Sequence, residues 1–267
     1  MLRVATALML LFLVGLVSRS ATAQWLHYPS PGIPRTPDGK PNLSAPAPRT
    51  PDGKTDLYGI WVMDQTPQEG PFVQAPANEI KPEDIILTPE GEALQRQIKE
   101  NFHDAECLPL NFPGLARVQP FKILPSRGSV AILYEFSTTY RQIFMDGREL
   151  PKDPNPTWRG YSVGKWDGDT LVVDTNGFND RTNLSGGRRP HSDALHIIER
   201  FRRPDFGHLE IQYTIDDPKV YAKPWTIKQH HHLTPDTELM EYFCNENEKD
   251  LRHMVGSIDR VPRAGSP

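Results

Sequence analysis

The residues with the most obvious chemical potential lie in "KQHHHLTPDTELMEYFCNEN", positions 228–247: three consecutive histidines, a Pro-Asp pair, then an acidic, aromatic stretch holding a cysteine. Side chains alternate between the two faces of a strand. A strand over 225–233 therefore puts Trp225, Ile227, Gln229, His231 and Leu233 on one face, and Thr226, Lys228, His230 and His232 on the other. The first set carries the large apolar groups and is expected to face inward. His230 and His232 have a spacing that brings two imidazoles to one side, with Glu241 as a third ligand across a hairpin. Lys228 shares that face and disfavours a dication, so these two are read as solvated histidines and no metal is expected. A two-residue turn at Pro235-Asp236 pairs His231 with Met240, Gln229 with Tyr242 and Ile227 with Cys244, which turns Tyr242 inward.

The same parity sorts the other alternating runs. In "GYSVGKWDGDTLVVDT" the Asp167-Gly168 turn sets Ser162, Gly164 and Trp166 on the face of Leu171, Val173 and Thr175. In "LHIIERF" Leu195, Ile197, Glu199 and Phe201 share a face; in "YRQIFM" Arg141, Ile143 and Met145 do, with Tyr140, Gln142 and Phe144 as the rival set. The apolar faces thus carry Arg141, Glu199, Gln229, His231 and Tyr242. Unpaired charges are costly to bury, so Arg141 and Glu199 are expected to pair or to line a wet cavity. The loop "NGFNDRTNLSGGRRPHSDALH" is rich in Asn, Asp, Arg and His and brings His191 and Asp193 to one rim. Ser192 between them makes no triad, because adjacent residues do not form that geometry. There is no phosphate loop or His-Glu-x-x-His motif.

Sequential hairpins with few helices predict an all-β domain: an antiparallel up-and-down barrel of eight to ten strands, lipocalin-like, with a β-sandwich as alternative. One helix is expected from Thr88, whose hydroxyl can cap it while Glu90 and Glu92 favour its first turn. The N-terminal "MLRVATALMLLFLVGLVSRSATAQ" has a basic start, an apolar run and a small-x-small site, the pattern of a secretory signal peptide over 1–23. A periplasmic or secreted location follows, with no stable membrane insertion. Residues 24–55 form a proline-rich leader in which "PRTPDGK" occurs twice, at 34–40 and 48–54. The barrel domain is placed at 56–260 and a tail at 261–267. Loss of Arg3 and Arg19 with the signal takes the formal charge from −4 to −6, which argues against nucleic acid as a partner. In an exported chain the pair Cys107 and Cys244 is expected to form a disulfide, with two buried thiols as the alternative.

The Gly59-Ile60-Trp61 triplet ahead of a long meander resembles the start of the calycin superfamily of lipocalin-like barrels. The segments "RTPDGKTDLYGIW", "RQIFMDGRELPKD", "GYSVGKWDGDTLVVDTNGFND", "HSDALHIIERFRR", "IDDPKVYAKPW" and "EYFCNEN" resemble a family of exported bacterial proteins of unassigned function. That resemblance, over about 48–255, implies export and a shared fold and supplies no activity.

Three functions are compatible with these residues. The first is binding of a small, partly apolar molecule inside the barrel, with Trp61, Trp166, Trp225, Ser162, His191, Asp193 and Gln229 as contacts and Arg141 fixing an anionic or carbonyl group. The second is a cofactor-free acid–base enzyme in the same cavity: an isomerase, lyase, hydratase or hydrolase. There His231 or Glu199 moves a proton, and Arg141 or Tyr242 stabilises negative charge. The third is an envelope-assembly role with the leader as tether.

Overall fold

The computed structural model describes residues 29–64, 84–100, 109–184, 189–243 and 246. Nine strands form one closed barrel in sequence order: β1 (Gly59–Met63), β2 (Phe121–Ser126), β3 (Ser129–Tyr134), β4 (Thr139–Phe144), β5 (Tyr161–Asp167), β6 (Thr170–Asn176), β7 (His196–Arg202), β8 (His208–Asp216) and β9 (Trp225–Leu233). Eight of the nine neighbouring pairs are antiparallel. The ninth, β4 with β5, is parallel, so the expected antiparallel meander is corrected to a mixed barrel. A parallel pair needs a crossover of a dozen or more residues, and the stretch 145–160 between these strands supplies it.

Parity sets the faces as expected. Trp225, Ile227, Gln229, His231 and Leu233 are buried, as are Leu195, Ile197, Glu199 and Phe201, while Arg141 and Ile143 point inward from β4. The Asp167-Gly168 turn gives the anticipated register, Ser162 opposite Thr175 and Trp166 opposite Leu171. Thr88 starts the expected helix, α1 (Pro89–Glu100); its Oγ1 accepts from Gly91 N at 3.1 Å, and Glu90 and Glu92 sit in the first turn. A one-turn helix, α2 (Leu115–Val118), was not anticipated. Among the described residues no helix is long and apolar enough to cross a membrane.

The last hairpin does not form. Residues 239–243 carry no strand, and Met240, Tyr242 and Phe243 are exposed. A strand has two edges, and both edges of β9 are taken: β8 pairs along one, and β1 closes the barrel along the other through Trp61↔Leu233, Val62↔His232 and Met63↔His231. The inward pairing of Tyr242 with Gln229 is therefore corrected. Tyr242 lies outside, with its ring 5.5 Å from that of Phe136 and its amide on Thr138 Oγ1 at 2.9 Å. Cys107, Cys244 and the 1–23 segment lie outside the described residues.

The two "PRTPDGK" copies fold identically. In each, the Thr amide bonds the Lys carbonyl, the Gly amide bonds the Thr carbonyl, and the arginine reaches the Gly carbonyl. Each arginine also grips one barrel carboxylate: Arg35 holds Asp236, and Arg49 holds Asp169. Leu43 and Ala45 between the copies bond the amides of Gly207 and Phe206. Gly207 is required there, since a Cβ would stand 2.8 Å from the Leu43 carbonyl oxygen.

Candidate functional site

The strands converge four polar side chains on one level of the interior. Arg141 on β4, Ser162 on β5, Thr175 on β6 and Glu199 on β7 are linked by the register Ile143↔Ser162, Ser162↔Thr175 and Val173↔Glu199. Arg141 forks onto Glu199, Nη1 to Oε1 at 2.9 Å and Nη2 to Oε2 at 2.5 Å. Its Nε donates to Ser162 Oγ at 3.0 Å, Nη2 also donates to Thr175 Oγ1 at 2.7 Å, and its guanidinium lies 4.2 Å from the centre of the Phe112 ring. Both charged side chains are 1% exposed. Burial works against the charge on Arg141, but the Glu199 carboxylate outweighs it and holds the guanidinium protonated. Burial likewise pushes the neighbouring Tyr134 hydroxyl up to about 12. The expected Arg141–Glu199 pair is thus present, and Glu199 is clamped by Arg141 on both oxygens.

Part of the rest of the interior is filled by the chain itself. Residues 111–116, between α1 and β2, enter the barrel as a plug. Phe112 covers Arg141, the Pro113 carbonyl accepts from Gln229 Nε2 at 3.0 Å, and the Ala116 carbonyl bonds His231 Nε2 at 3.2 Å. Glu199 pairs with Tyr213, which pairs with Ile227, so His231 lies four residues along β9 from the ion-pair level. That is about 13 Å at the usual rise per residue. Burial beneath the plug drives the His231 ring down to about 4, so it is neutral at physiological pH. His231 and Glu199 do not meet.

The remaining expected contacts are dispersed. Trp61 is buried, donates to the Leu57 carbonyl at 3.2 Å and carries the Arg203 guanidinium on its ring. Trp225 packs edge-on against Tyr221, and Trp166 is half-buried at the opposite barrel end. His191 is buried and neutral, pushed down chiefly by desolvation. Its Nε2 faces Thr182 Oγ1 at 2.7 Å and its Nδ1 faces the Ser192 carbonyl at 3.0 Å, so it ties the rim loop. Asp193 points outward and pairs with Lys219 at 2.6 Å.

One residue that parity did not single out completes the site. The parallel β4–β5 ladder has two residue pairs, Ile143↔Ser162 and Phe144↔Val163, and the strands splay before them. Gly160 sits at φ +66°, a left-handed turn just ahead of β5 where a Cβ would stand 2.6 Å from the Asn176 carbonyl oxygen. A cavity of about 280 Å³ fills this window in the wall, lined among others by Tyr140, Arg141, Arg159, Tyr161 and Ser162. Arg159 Nη1 is buried and has no hydrogen-bond partner among the described residues. Burial lowers its guanidinium to about 10, Tyr134 opposes that fall and Arg141 adds to it, so Arg159 stays cationic at neutral pH. Arg-Gly immediately before an alternating run is the local sequence signal, but only the parallel crossover makes it face a cavity.

Two larger cavities lie elsewhere. The one of about 380 Å³ beneath the leader is lined by Arg203, whose N–H groups are taken by the carbonyls of Asp56, Tyr58 and Phe206. The one of about 420 Å³ runs along the outside past Pro154, Asp193 and His196. Fold and site together define an all-β barrel with an internal plug and a cationic window in its wall. No family model, curated protein or solved structure matches the chain, so the chemistry rests on these residues alone.

Proposed function

We propose that the protein binds a small anionic molecule, a carboxylate or a chemically similar oxyanion, in the β4–β5 window, with Arg159 as its principal contact. One observation carries this reading: the half-buried Arg159 lines a cavity with a buried Nη1 that has no partner among the described residues. A buried cation without a counter-charge is costly, and a charge-assisted hydrogen bond from an incoming carboxylate relieves that cost. Arg141 adds positive potential, but its donors are occupied by Glu199, Ser162 and Thr175, so it serves as the floor of the site. A cavity of about 280 Å³ sits at the lower bound for ligand pockets and suits a compact ligand. Tyr140, Phe144 and Tyr161 add ring carbons to an otherwise polar lining, in keeping with a partly apolar molecule. An exported location belongs to the same proposal and rests on the N-terminal "MLRVATALMLLFLVGLVSRSATAQ".

The acid–base reading gains no support here, because Glu199 is clamped by Arg141 and His231 lies under the plug. Calorimetric titration with acetate, benzoate, succinate and phosphate tests the binding reading. At least one is expected to bind, and Arg159→Gln is expected to weaken it tenfold or more, the loss of one charge-assisted pair. Equal affinity in the variant, or no binding by any of the four, overturns the proposal.

A further inference from the structure

We propose that His208 and His232 form a two-imidazole site for a late first-row divalent cation, Cu(II) or Zn(II), on the outer face of β8 and β9. The register places His208 directly opposite His232. Their chain neighbours Leu209 and His231 point inward, so both imidazoles project outward; their side chains are 50% and 44% exposed. Directly opposed residues on an antiparallel pair have Cβ atoms about 5 Å apart, within reach of one ion for two imidazoles.

The second observation is how each ring is held. His208 Nδ1 lies 2.7 Å from Asp205 Oδ1, and His232 Nδ1 lies 2.7 Å from Asp64 Oδ1. A carboxylate accepts and does not donate, so each Nδ1 carries the hydrogen. In the neutral ring the lone pair then sits on Nε2. A carboxylate behind the ring that fixes the tautomer and raises the basicity of the other nitrogen is the usual support of a metal-bound histidine. Two such units meet here from different directions: Asp205 from the turn before β8, and Asp64 from the end of β1 on the far side of β9.

Lys228, on the same face of β9, stands four residues from His232, about 13 Å along the strand, and so bears little on an ion held between His208 and His232. Asp64, Asp205 and Glu210 are the acidic groups nearby, and Arg202 is paired to Glu210 at 3.1 Å. Among the described residues no group of three His, Cys, Asp or Glu side chains is arranged to hold a metal, so the ion would keep water in its remaining positions. An open, two-nitrogen site favours Cu(II) over the other divalent ions of the row. The sequence pattern pointed to His230 with His232; the sheet register instead selects His208 as the partner.

His196 provides the control. It is also paired to a carboxylate, Asp174, though through Nε2 rather than Nδ1, and it stands opposite Asp216 with no second imidazole directly across β8. The full chain is titrated with CuCl2 by calorimetry and by electron paramagnetic resonance. The expected result is one ion per chain with hyperfine splitting from two nitrogens. His208→Ala and His232→Ala each weaken binding at least tenfold, and His196→Ala leaves it unchanged. The substitutions His208→Gln and His232→Gln, which keep a donor for Asp205 and Asp64, are expected to lose the ion equally while unfolding at the wild-type midpoint. Binding that survives the double His208→Ala/His232→Ala change, or that His196→Ala weakens as much, overturns the proposal.

Discussion

His231 is the histidine that parity sends inward, and its surroundings set both its charge and its energetic role. It is fully buried, its Nε2 faces the Ala116 carbonyl, and the Phe121 ring meets it edge-on at 5.1 Å. Desolvation lowers it to about 4 from an ordinary 6.5. The unfolded chain therefore takes up a proton at this ring below pH 6.5, whereas the folded chain does not until about pH 4. The stability that neutral His231 contributes is complete above pH 6.5 and is lost progressively as pH falls toward 4. Two and a half units correspond to about 3 kcal/mol. His231→Gln keeps a donor for Ala116 and removes the titration. Urea midpoints between pH 7 and pH 4 are expected to fall more steeply in the wild type than in this variant. His191 is shifted in the same direction in both proteins and cancels in the comparison. Parallel pH profiles would show that His231 exchanges its proton freely with solvent.

At the scale of the element, the plug over 111–116 decides what the barrel can hold. Phe112 is fully buried, with Tyr134 at 6.2 Å on one side and the Arg141 guanidinium on the other. Phe112→Ala opens a cavity beside a buried ion pair and is expected to cost about 3–5 kcal/mol, read from chemical denaturation. A loss below about 1 kcal/mol would mean that the plug is not seated on Arg141 and that the interior is accessible. The plug was not legible in the sequence. "LNFPGLARV" has no alternation and too short an apolar period to announce an inward-facing segment, and its side-chain hydrogen bonds to β9 join residues more than a hundred positions apart. By contrast, the inward sets of β5, β6, β7 and β9 were legible because strand parity is local, and β4 was narrowed to two rival sets. Each set needs only the pleat and a few large apolar residues to fix its direction. The Arg141–Glu199 pair followed from parity, whereas the window beside it did not, because it depends on a parallel crossover that resembles a hairpin connection on paper. The last hairpin failed for a related reason: "TELMEYF" alternates well enough, yet β1 already occupies the edge it would need.

For the molecule as a whole, the barrel wall is unequal. β8 and β9 are joined by eight residue pairs and β5 and β6 by seven, whereas β4 and β5 share two. Opening the wall at that seam breaks the fewest ladder hydrogen bonds, and local opening concentrates where such bonds are few. Amide exchange at Ile143, Phe144, Ser162 and Val163 is therefore expected to be faster than along β8 and β9. The same seam borders the Arg159 cavity, so a bound anion that bridges the splayed strands closes the weakest part of the wall. A ligand that binds only the closed form stabilises it by about 2.7 kcal/mol at a hundred times its dissociation constant, close to a hundredfold slowing of exchange. Hydrogen exchange with and without a saturating small carboxylate is expected to slow at the seam and to leave the β1–β9 junction unchanged. Slowing confined to residues 111–116 and β9 would instead place the ligand inside the barrel, with the plug displaced or reinforced around it. Uniform slowing along all nine strands would show a ligand that stabilises the fold globally without using the window. The seam thus links the one parallel pair in the sheet, the unpartnered arginine beside it and the ligand chemistry that both imply.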